Sequence, residues 1–360
     1  MKDIKIHTMK QLKTVPNWIG VDVKVLDLDF SSSHFKPTKT ETTENLAMEN
    51  LVFALLRRLP CLKKLTLTHL HFKSFTDAHS RIIRSTQFLP NLSDLRLSPS
   101  IEGLLHSIVF DPLGACNIVR MKVQSYFKSP PLVERKLDFG GRLRYLDMND
   151  REFTRTLLDP ARVRIDTLAG LRELRIGEGF KVSRENGVKE SFRVIGPTLE
   201  ELSIGDGDMQ HFYKDLPDLV HLQRLSVDDP LSLIADNNPL PPSLSFLSSF
   251  YDQQLRPVFE RWTAVPTMVP TSLQHIHISL IEDFAIFQTS PRFSKLSTDF
   301  WNPSALGDFD SFQDSLASCA AGSLPFKVLE VTFYGGEVAK VEDVRAECKR
   351  IGVEFRPIRK

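Results

Sequence analysis

Residues Leu59-Pro60-Cys61-Leu62-Lys63-Lys64-Leu65-Thr66-Leu67 join a helix stop to a short alternating strand. Proline forces the residue before it out of the helical region, which predicts that a preceding helix ends at Leu59. Apolar residues then stand at positions 1, 4 and 6 of a Leu-x-x-Leu-x-Leu unit that starts at Leu62. Positions 4 and 6 face the same side of an extended chain, so the unit predicts a strand with one buried face.

The same unit returns in the same register along most of the chain. Leu89–Leu97 repeats both the proline and the spacing, and other Pro or Gly residues stand shortly before later units. Successive units start 20 to 39 residues apart, which indicates a repeat protein. The apolar residues at positions 1, 4 and 6 are Val23/Leu26/Leu28, Leu62/Leu65/Leu67, Leu92/Leu95/Leu97, Ile118/Met121/Val123, Leu143/Leu146/Met148, Leu171/Leu174/Ile176, Leu199/Leu202/Ile204, Leu222/Leu225/Val227, Leu273/Ile276/Ile278 and Phe326/Leu329/Val331, with two weaker units at Leu244/Leu247 and Phe293/Leu296.

Several of the segments between the strands are predicted to be helices. Residues 38–59 form the clearest one, because Thr38 and Glu41 suit a capping box and apolar residues line one face. Shorter helices are predicted over 77–89, 101–110, 311–321 and 338–351. Gly322 and Gly352 follow the last two and suit left-handed C-terminal caps.

Strands joined by a dozen or more residues pair in parallel, and each unit can bury its apolar face only against its neighbours. The sequence therefore predicts an α/β solenoid of about eleven to thirteen repeats. Residues 1–20 are a predicted N-terminal lead-in or cap, and 21–360 a repeat domain. A helix and a last strand at about 338–356 are predicted to close it, and the returning segments between 124 and 270 are predicted to be partly irregular.

These units resemble those of the leucine-rich-repeat superfamily, and more narrowly the irregular repeats of fungal F-box-type proteins. The resemblance covers roughly 21–355. It implies a right-handed horseshoe with parallel strands on the concave face, and with helices and irregular segments on the convex face. Two features differ from the family pattern. The site three residues after position 6 never holds the usual asparagine or cysteine, and the residues before Val23 show no three-helix F-box pattern.

Composition narrows the choice of partners. The chain has 46 Lys and Arg residues against 45 Asp and Glu, a net charge of +1. Proteins that bind nucleic acids or acidic membranes usually carry an excess or a patch of basic residues, so neither is a predicted partner. The four cysteines lie far apart and are expected to be reduced packing residues. The sequence has no apolar run of membrane-spanning length and no signal peptide, so we expect the protein in the cytoplasm or nucleus. We also expect a monomer.

The residues at positions 3 and 5 of each strand alternate away from the buried ones. Solenoids commonly bind partners on such extended surfaces, so these side chains form the predicted binding surface. Arginine and tyrosine are frequent binding anchors, which favours residues of those types. The predicted partner-binding residues are Lys64, Arg96, Arg120, Lys122, Tyr145, Asp147, Arg175, Arg224, His275 and His277.

The sequence carries little that indicates chemistry. His275 and His277 face the same side of a strand, but a metal site needs further ligands, for which Glu282 and Asp283 are the nearby candidates. Paired aspartates fall in predicted turns, where that residue type is common. Nucleophile-elbow, phosphate-loop and dinucleotide motifs are absent from the sequence. We therefore expect no enzymatic activity, no cofactor and no bound metal.

The predicted function is a non-enzymatic scaffold that binds an unidentified partner protein. The family resemblance leaves a second function open, namely the substrate-recognition subunit of an SCF-type cullin ubiquitin ligase whose F-box is absent or degenerate. An enzyme is a third class. It would be recognised by a deep pocket with convergent titratable side chains.

Overall fold

A computed structural model gives the structure of this chain. It describes residues 2–16, 19–20, 22–29, 50–52, 54–68, 89–97, 117–123, 141–148, 163–177, 180–181, 187–205, 207–208, 213–228, 233–234, 239–251, 255–280, 325–333, 342, 345–346, 348–350 and 352–359. The chain forms two compact units, Met1–Leu199 and Glu200–Lys360. Thirteen of the described strands pair in parallel, seven in the first unit and six in the second, and their order along each sheet is their order along the chain.

The first unit contains a sheet of seven parallel strands. They are β1 (Lys2–Ile6), β2 (Val23–Asp29), β3 (Lys64–Thr68), β4 (Asp94–Leu97), β5 (Arg120–Val123), β6 (Tyr145–Met148) and β7 (Glu173–Ile176), with a separate two-residue strand β8 (Phe180–Lys181). Each strand pairs with the next one along the chain. Among the described strands, β1 has β2 as its single neighbour, so this edge of the sheet is open.

The second unit contains six parallel strands. They are β9 (Glu201–Ile204), β11 (Arg224–Val227), β12 (Phe246–Tyr251), β13 (His275–Leu280), β14 (Val328–Phe333) and β15 (Glu354–Arg359), with a separate two-residue strand β10 (Gly207–Asp208). They pair in that order without a change of register from β11 to β15. Among the described strands, β15 has β14 as its single neighbour, so this sheet is not closed into a barrel.

Helical segments occupy parts of the connections between strands. The α-helices are Met9–Lys13, Gly187–Ile195 and Leu255–Ala264, and 3₁₀ turns lie at Ile165–Leu168, Gly196–Thr198, Tyr213–Asp218 and Pro266–Met268. Residues 50–52, 54–56, 342, 345–346 and 348–350 are also helical. Within the described part of the chain, no helix is long and apolar enough to cross a membrane.

Most of the described repeats enter their strands through the same backbone hydrogen bonds. The N–H of Leu62, at position 1, donates to the carbonyl of Leu59 over 3.1 Å and closes a four-residue turn. The carbonyl of Lys63, at position 2, accepts the N–H groups of Ser93 and Asp94 from the next repeat, at 2.9 and 3.0 Å. The same double acceptor recurs at Ser93, Val119, Arg144, Glu200, Gln223, Ser245 and Gln274. This recurrence shows that the sequence repeat is a repeat of backbone structure.

Side chains add a second set of bonds at these turns, here named the turn ladder. In it, the residue just before position 1 donates a side-chain hydrogen bond to the backbone carbonyl two residues before position 1 of the preceding repeat. The pairs are Asn91 to Pro60 (2.9 Å), Asn117 to Pro90 (2.7 Å), Thr198 to Ala169 (2.8 Å), Ser243 to Val220 (2.6 Å) and Ser272 to Pro242 (2.8 Å). These bonds satisfy carbonyls that the turns leave without a strand partner.

The core follows the predicted periodicity. Every described side chain at positions 1, 4 and 6 of the repeats is at most 6 % exposed, including the weaker unit at Leu244 and Leu247. The third position of that unit is Ser249, which is also buried. Full burial of one such aliphatic side chain contributes about 1.5–3 kcal/mol, so each repeat depends on the neighbours that cover it.

The predicted strands are confirmed wherever the structure describes them. The predicted unit at Phe293/Leu296 lies outside the described residues. So do the helices predicted over 101–110 and 311–321 and nearly all of the one predicted over 77–89. Helical residues at 50–52 and 54–56 confirm part of the helix predicted over 38–59, but 57–59 are not helical, so the predicted end at Leu59 is three residues too late. Helical residues at 342, 345–346 and 348–350 confirm the described parts of the helix predicted over 338–351.

Two features at the ends of the chain add detail to the predictions. The first strand, β1, lies within the predicted lead-in over 1–20, and Thr8 and Gln11 form a capping box on the helix that follows. Near the other end, Gly352 has a φ of +78°, as its predicted role as a left-handed cap requires. The Val353 N–H bonds to the Cys348 carbonyl over 2.8 Å, which completes a Schellman motif before β15.

Candidate functional site: the polar faces of the strands

The ten predicted binding residues lie on the strand faces opposite the core. Seven of them belong to the first unit, namely Lys64, Arg96, Arg120, Lys122, Tyr145, Asp147 and Arg175. Arg224, His275 and His277 belong to the second unit. The structure therefore places the predicted residues on two surfaces. The first polar face comprises the side chains opposite the core on β3 to β7, and the second polar face those on β9 and β11 to β15. Each surface is described by itself.

Strand register arranges the first polar face in two rows. Lys64, Asp94, Arg120, Tyr145 and Glu173 are successive partners across β3 to β7. The second row runs through Thr66, Arg96, Lys122, Asp147 and Arg175. Because neighbouring parallel strands lie about 4.8 Å apart, side chains of successive repeats are within contact distance.

Ion pairs connect these rows across the strands. Lys122 Nζ lies 2.8 Å from Asp147 Oδ2 on the neighbouring strand. Asp94 contacts two cations, Lys64 at 4.0 Å across the strands and Arg96 at 3.5 Å along its own strand. Partly exposed pairs of this kind contribute about 0–1 kcal/mol each to folding, so their main effect is to orient the charged groups.

Tyr145, on β6, contacts three charged side chains of the first polar face. The guanidinium carbons of Arg120 and Arg175 lie 4.8 and 5.7 Å from the centre of its ring, within range of cation–π attraction. Its hydroxyl donates to Asp147 Oδ2 over 3.2 Å. Burial raises the pKa of Tyr145 above its usual value, and the negative charge of Asp147 raises it further.

The second polar face is built around Phe246. Arg224 Cζ lies 4.3 Å from the centre of the Phe246 ring, and Arg224 Nε lies 3.6 Å from Glu201 Oε2. The His275 ring meets Phe246 edge to face with 4.8 Å between ring centres. A cation, an aromatic ring and an imidazole are thereby held side by side on β11, β12 and β13.

The two histidines of β13 each contact other polar groups. His277 Nδ1 lies 2.8 Å from Ser248 Oγ, and its Nε2 lies 2.9 Å from the hydroxyl of Thr332. His275 Nε2 is buried and makes no hydrogen bond to described residues; it lies 3.2 Å from Glu330 Oε2. No group of three or more His, Cys, Asp or Glu side chains suited to a metal ion occurs among the described residues. The alternative ligands named from the sequence, Glu282 and Asp283, lie outside those residues.

Sequence reasoning missed several members of the second polar face. The sequence does not single out Phe246, because its unit, Leu244/Leu247, lacks the third apolar residue. Nor does it single out Ser248 and Thr332, although both bond to His277. Extending the register from the neighbouring units would have placed Phe246 at position 3, the position that Arg224 and His275 hold in their own strands.

No protein-family model matches this chain. No curated protein matches it either.

The geometry of the two polar faces suits noncovalent binding at many points. Their charged side chains are spread in rows over successive strands, and most are already held in defined orientations by neighbours. Aromatic rings with stacked guanidinium groups supply rigid anchors of the kind that dominate protein interfaces.

Proposed function

We propose that this protein is a non-enzymatic interaction scaffold that binds a partner protein on the polar faces of its strands. In this proposal the repeats form a right-handed leucine-rich-repeat solenoid, and the polar faces lie on its concave side. The observation that carries it is the pair of in-register rows of charged and aromatic side chains, which are half-buried or exposed throughout β3 to β7. Solenoids bind partners on extended surfaces of this kind.

Binding energy is expected to concentrate at the arginine–aromatic contacts. Arg120 with Tyr145, and Arg224 with Phe246, combine apolar area with charge that can be withdrawn from water on binding. The lysines and acids around them would contribute orientation and association rate more than affinity. A partner is therefore expected to depend on a few central residues and to tolerate changes at the margins.

Affinity purification with cross-linking tests this proposal. Lys64 and Lys122 are about one third exposed on the first polar face, so an amine cross-linker should join them to a bound partner. The triple variant Arg96→Glu, Arg120→Glu, Lys122→Glu should lose that partner. Lys10→Glu with Lys13→Glu, on the helix Met9–Lys13, is the control for added negative charge and should keep it.

Three results would count against the proposal or redirect it. Retention of every partner by the triple variant would exclude the first polar face as the binding surface. Cross-links confined to residues outside both polar faces would exclude the proposed mode of binding altogether. Direct binding of a cullin-ligase adaptor would instead support the second function that the family resemblance implies.

A further inference from the structure

Building on the proposed function, we infer that the first polar face binds an acidic segment of its partner, with carboxylates on Arg96, Arg120 and Lys122. Across β3 to β7, positions 3 and 5 hold five cationic and three carboxylate side chains. The five cations are Lys64, Arg96, Arg120, Lys122 and Arg175, and the three carboxylates are Asp94, Asp147 and Glu173.

Two of the three carboxylates, Asp94 and Asp147, are less exposed than the cations beside them. The Asp94 and Asp147 side chains are 21 % and 13 % exposed. Their cationic neighbours Arg96 and Lys122 are 47 % and 35 % exposed. These two carboxylates therefore lie closer to the strands than the cations that they pair with. The solvent-exposed part of the face is more positive than the count of charges alone indicates. A carboxylate arriving from solvent meets the cations first.

Arg120 is the group best placed to receive such a carboxylate. Its guanidinium contacts the Tyr145 ring, and within the described residues it has no ion pair with a carboxylate. Its side chain is exposed. Stacking on an aromatic ring leaves the in-plane N–H donors of a guanidinium available, and these match the two oxygens of a carboxylate.

The second polar face does not share this character. At positions 3 and 5 of its strands, Arg224 and Arg356 are outnumbered by Glu201, Glu330 and Glu354. Arg224 and Arg356 each pair with a glutamate, at 3.6 and 2.8 Å. Charge complementarity with an acidic segment therefore belongs to the first polar face.

A short peptide is long enough to probe the first polar face. Four strand spacings separate β3 from β7, or about 19 Å, which about six extended residues would span. The probe is a fluorescent peptide of about eight residues in which glutamate and serine alternate. Comparison probes are the corresponding lysine–serine peptide and a single-stranded oligothymidylate of similar length, and the readout is fluorescence anisotropy with the full chain.

Wild-type protein should bind the glutamate peptide in preference to both other probes. Arg96→Gln with Arg120→Gln should weaken that binding about tenfold, since two charge-assisted contacts are lost. Lys10→Gln with Lys13→Gln, on the helix Met9–Lys13 and outside both polar faces, should leave it unchanged. Raising the salt from about 0.05 to about 0.2 M should weaken wild-type binding, because both partners remain partly exposed to solvent.

The inference is overturned if Arg96→Gln with Arg120→Gln binds the glutamate peptide as wild type does. It is also overturned if wild type prefers the oligothymidylate or binds no glutamate peptide. If circular dichroism shows that the glutamine variant does not fold, Arg96→Lys with Arg120→Lys replaces it, since that variant keeps the positive charges. The inference is overturned if the lysine variant binds the glutamate peptide with an affinity that does not change with salt. A partner cross-linked to either face, together with a negative peptide result, leaves the proposed function standing and removes only this inference.

Discussion

At the scale of single residues, the alternation of side chains along a strand predicts the face on which each residue lies, but not the neighbours that it contacts. Positions 3 and 5 were expected to point away from the core because side chains alternate in a strand, and Arg120 and Tyr145 do so. Nothing in the sequence indicated that the Arg120 guanidinium lies over the Tyr145 ring, because that contact depends on strand register. The strand face on which these ten side chains lie was predictable, but their pairing was not.

The turn ladder makes a prediction about Ser272. Its hydroxyl lies 2.8 Å from the carbonyl oxygens of both Pro242 and Leu244. Ser272→Ala leaves those carbonyls without this donor and should lower the free energy of unfolding by about 1 kcal/mol. The measurement is urea denaturation, with Thr271→Ala in the same turn as the control. Equal effects of the two substitutions would mean that the ladder bond does not stabilise the repeat.

The raised pKa of Tyr145 makes a prediction about alkaline pH. The folded protein holds the phenol proton to a higher pH than the unfolded chain, where the pKa is near 10.0. The free energy of unfolding therefore falls as pH rises from the unfolded pKa through the folded one. Below that window, titration of Tyr145 causes no change of stability with pH. Subtracting the phenolate absorbance titration of Tyr145→Phe from that of wild type should leave a curve centred above pH 10.0. A curve centred at or below that pH would contradict the packing described for Tyr145.

At the scale of elements, the strands were predictable because their signal is local and repeated. The connections were less so, since their boundaries depend on caps and tertiary contacts. The strand β1 was missed: Ile4 and Ile6 alternate with polar residues but lack the upstream turn and position 1 that marked the other strands. The site three residues after position 6 holds no asparagine in any unit. The turn ladder lies instead at the N-terminal ends of the strands, where Asn91 and Asn117 precede position 1.

The cap at Gly352 makes a prediction about the last helix and strand. A side chain there would meet no atom within 4 Å, so the cost of substitution comes from the backbone φ of +78° alone. Gly352→Ala should destabilise the protein by about 1 kcal/mol, whereas Gly352→Asn should cost less, because asparagine tolerates the left-handed region. Thermal unfolding monitored by circular dichroism compares the two. If the alanine variant is as stable as wild type, Gly352 does not hold the left-handed conformation described here.

At the scale of the whole molecule, the parallel order of the strands was predictable, and the division into two compact units was not. The division falls between Leu199 and Glu200, inside a repeat whose pattern is as regular as its neighbours. Periodicity reports what each repeat buries against the next, and it contains no information about how many repeats act as one compact body. The expectation of a monomer and the assignment of 1–20 as a lead-in remain predictions.

The central claim is that successive repeats pair in parallel and in register, so that equivalent positions form continuous rows within each unit. Spin labels at equivalent positions test it by pulsed electron paramagnetic resonance, in a chain whose four native cysteines are replaced by serine. Labels at Thr66 and Asp147 are three strands apart, those at Thr66 and Arg175 four, and those at Ser203 and Arg356 five. The predicted distances rise in equal steps, to about 14, 19 and 24 Å. Distances that do not increase with the number of intervening strands would contradict the repeat architecture and, with it, both polar faces.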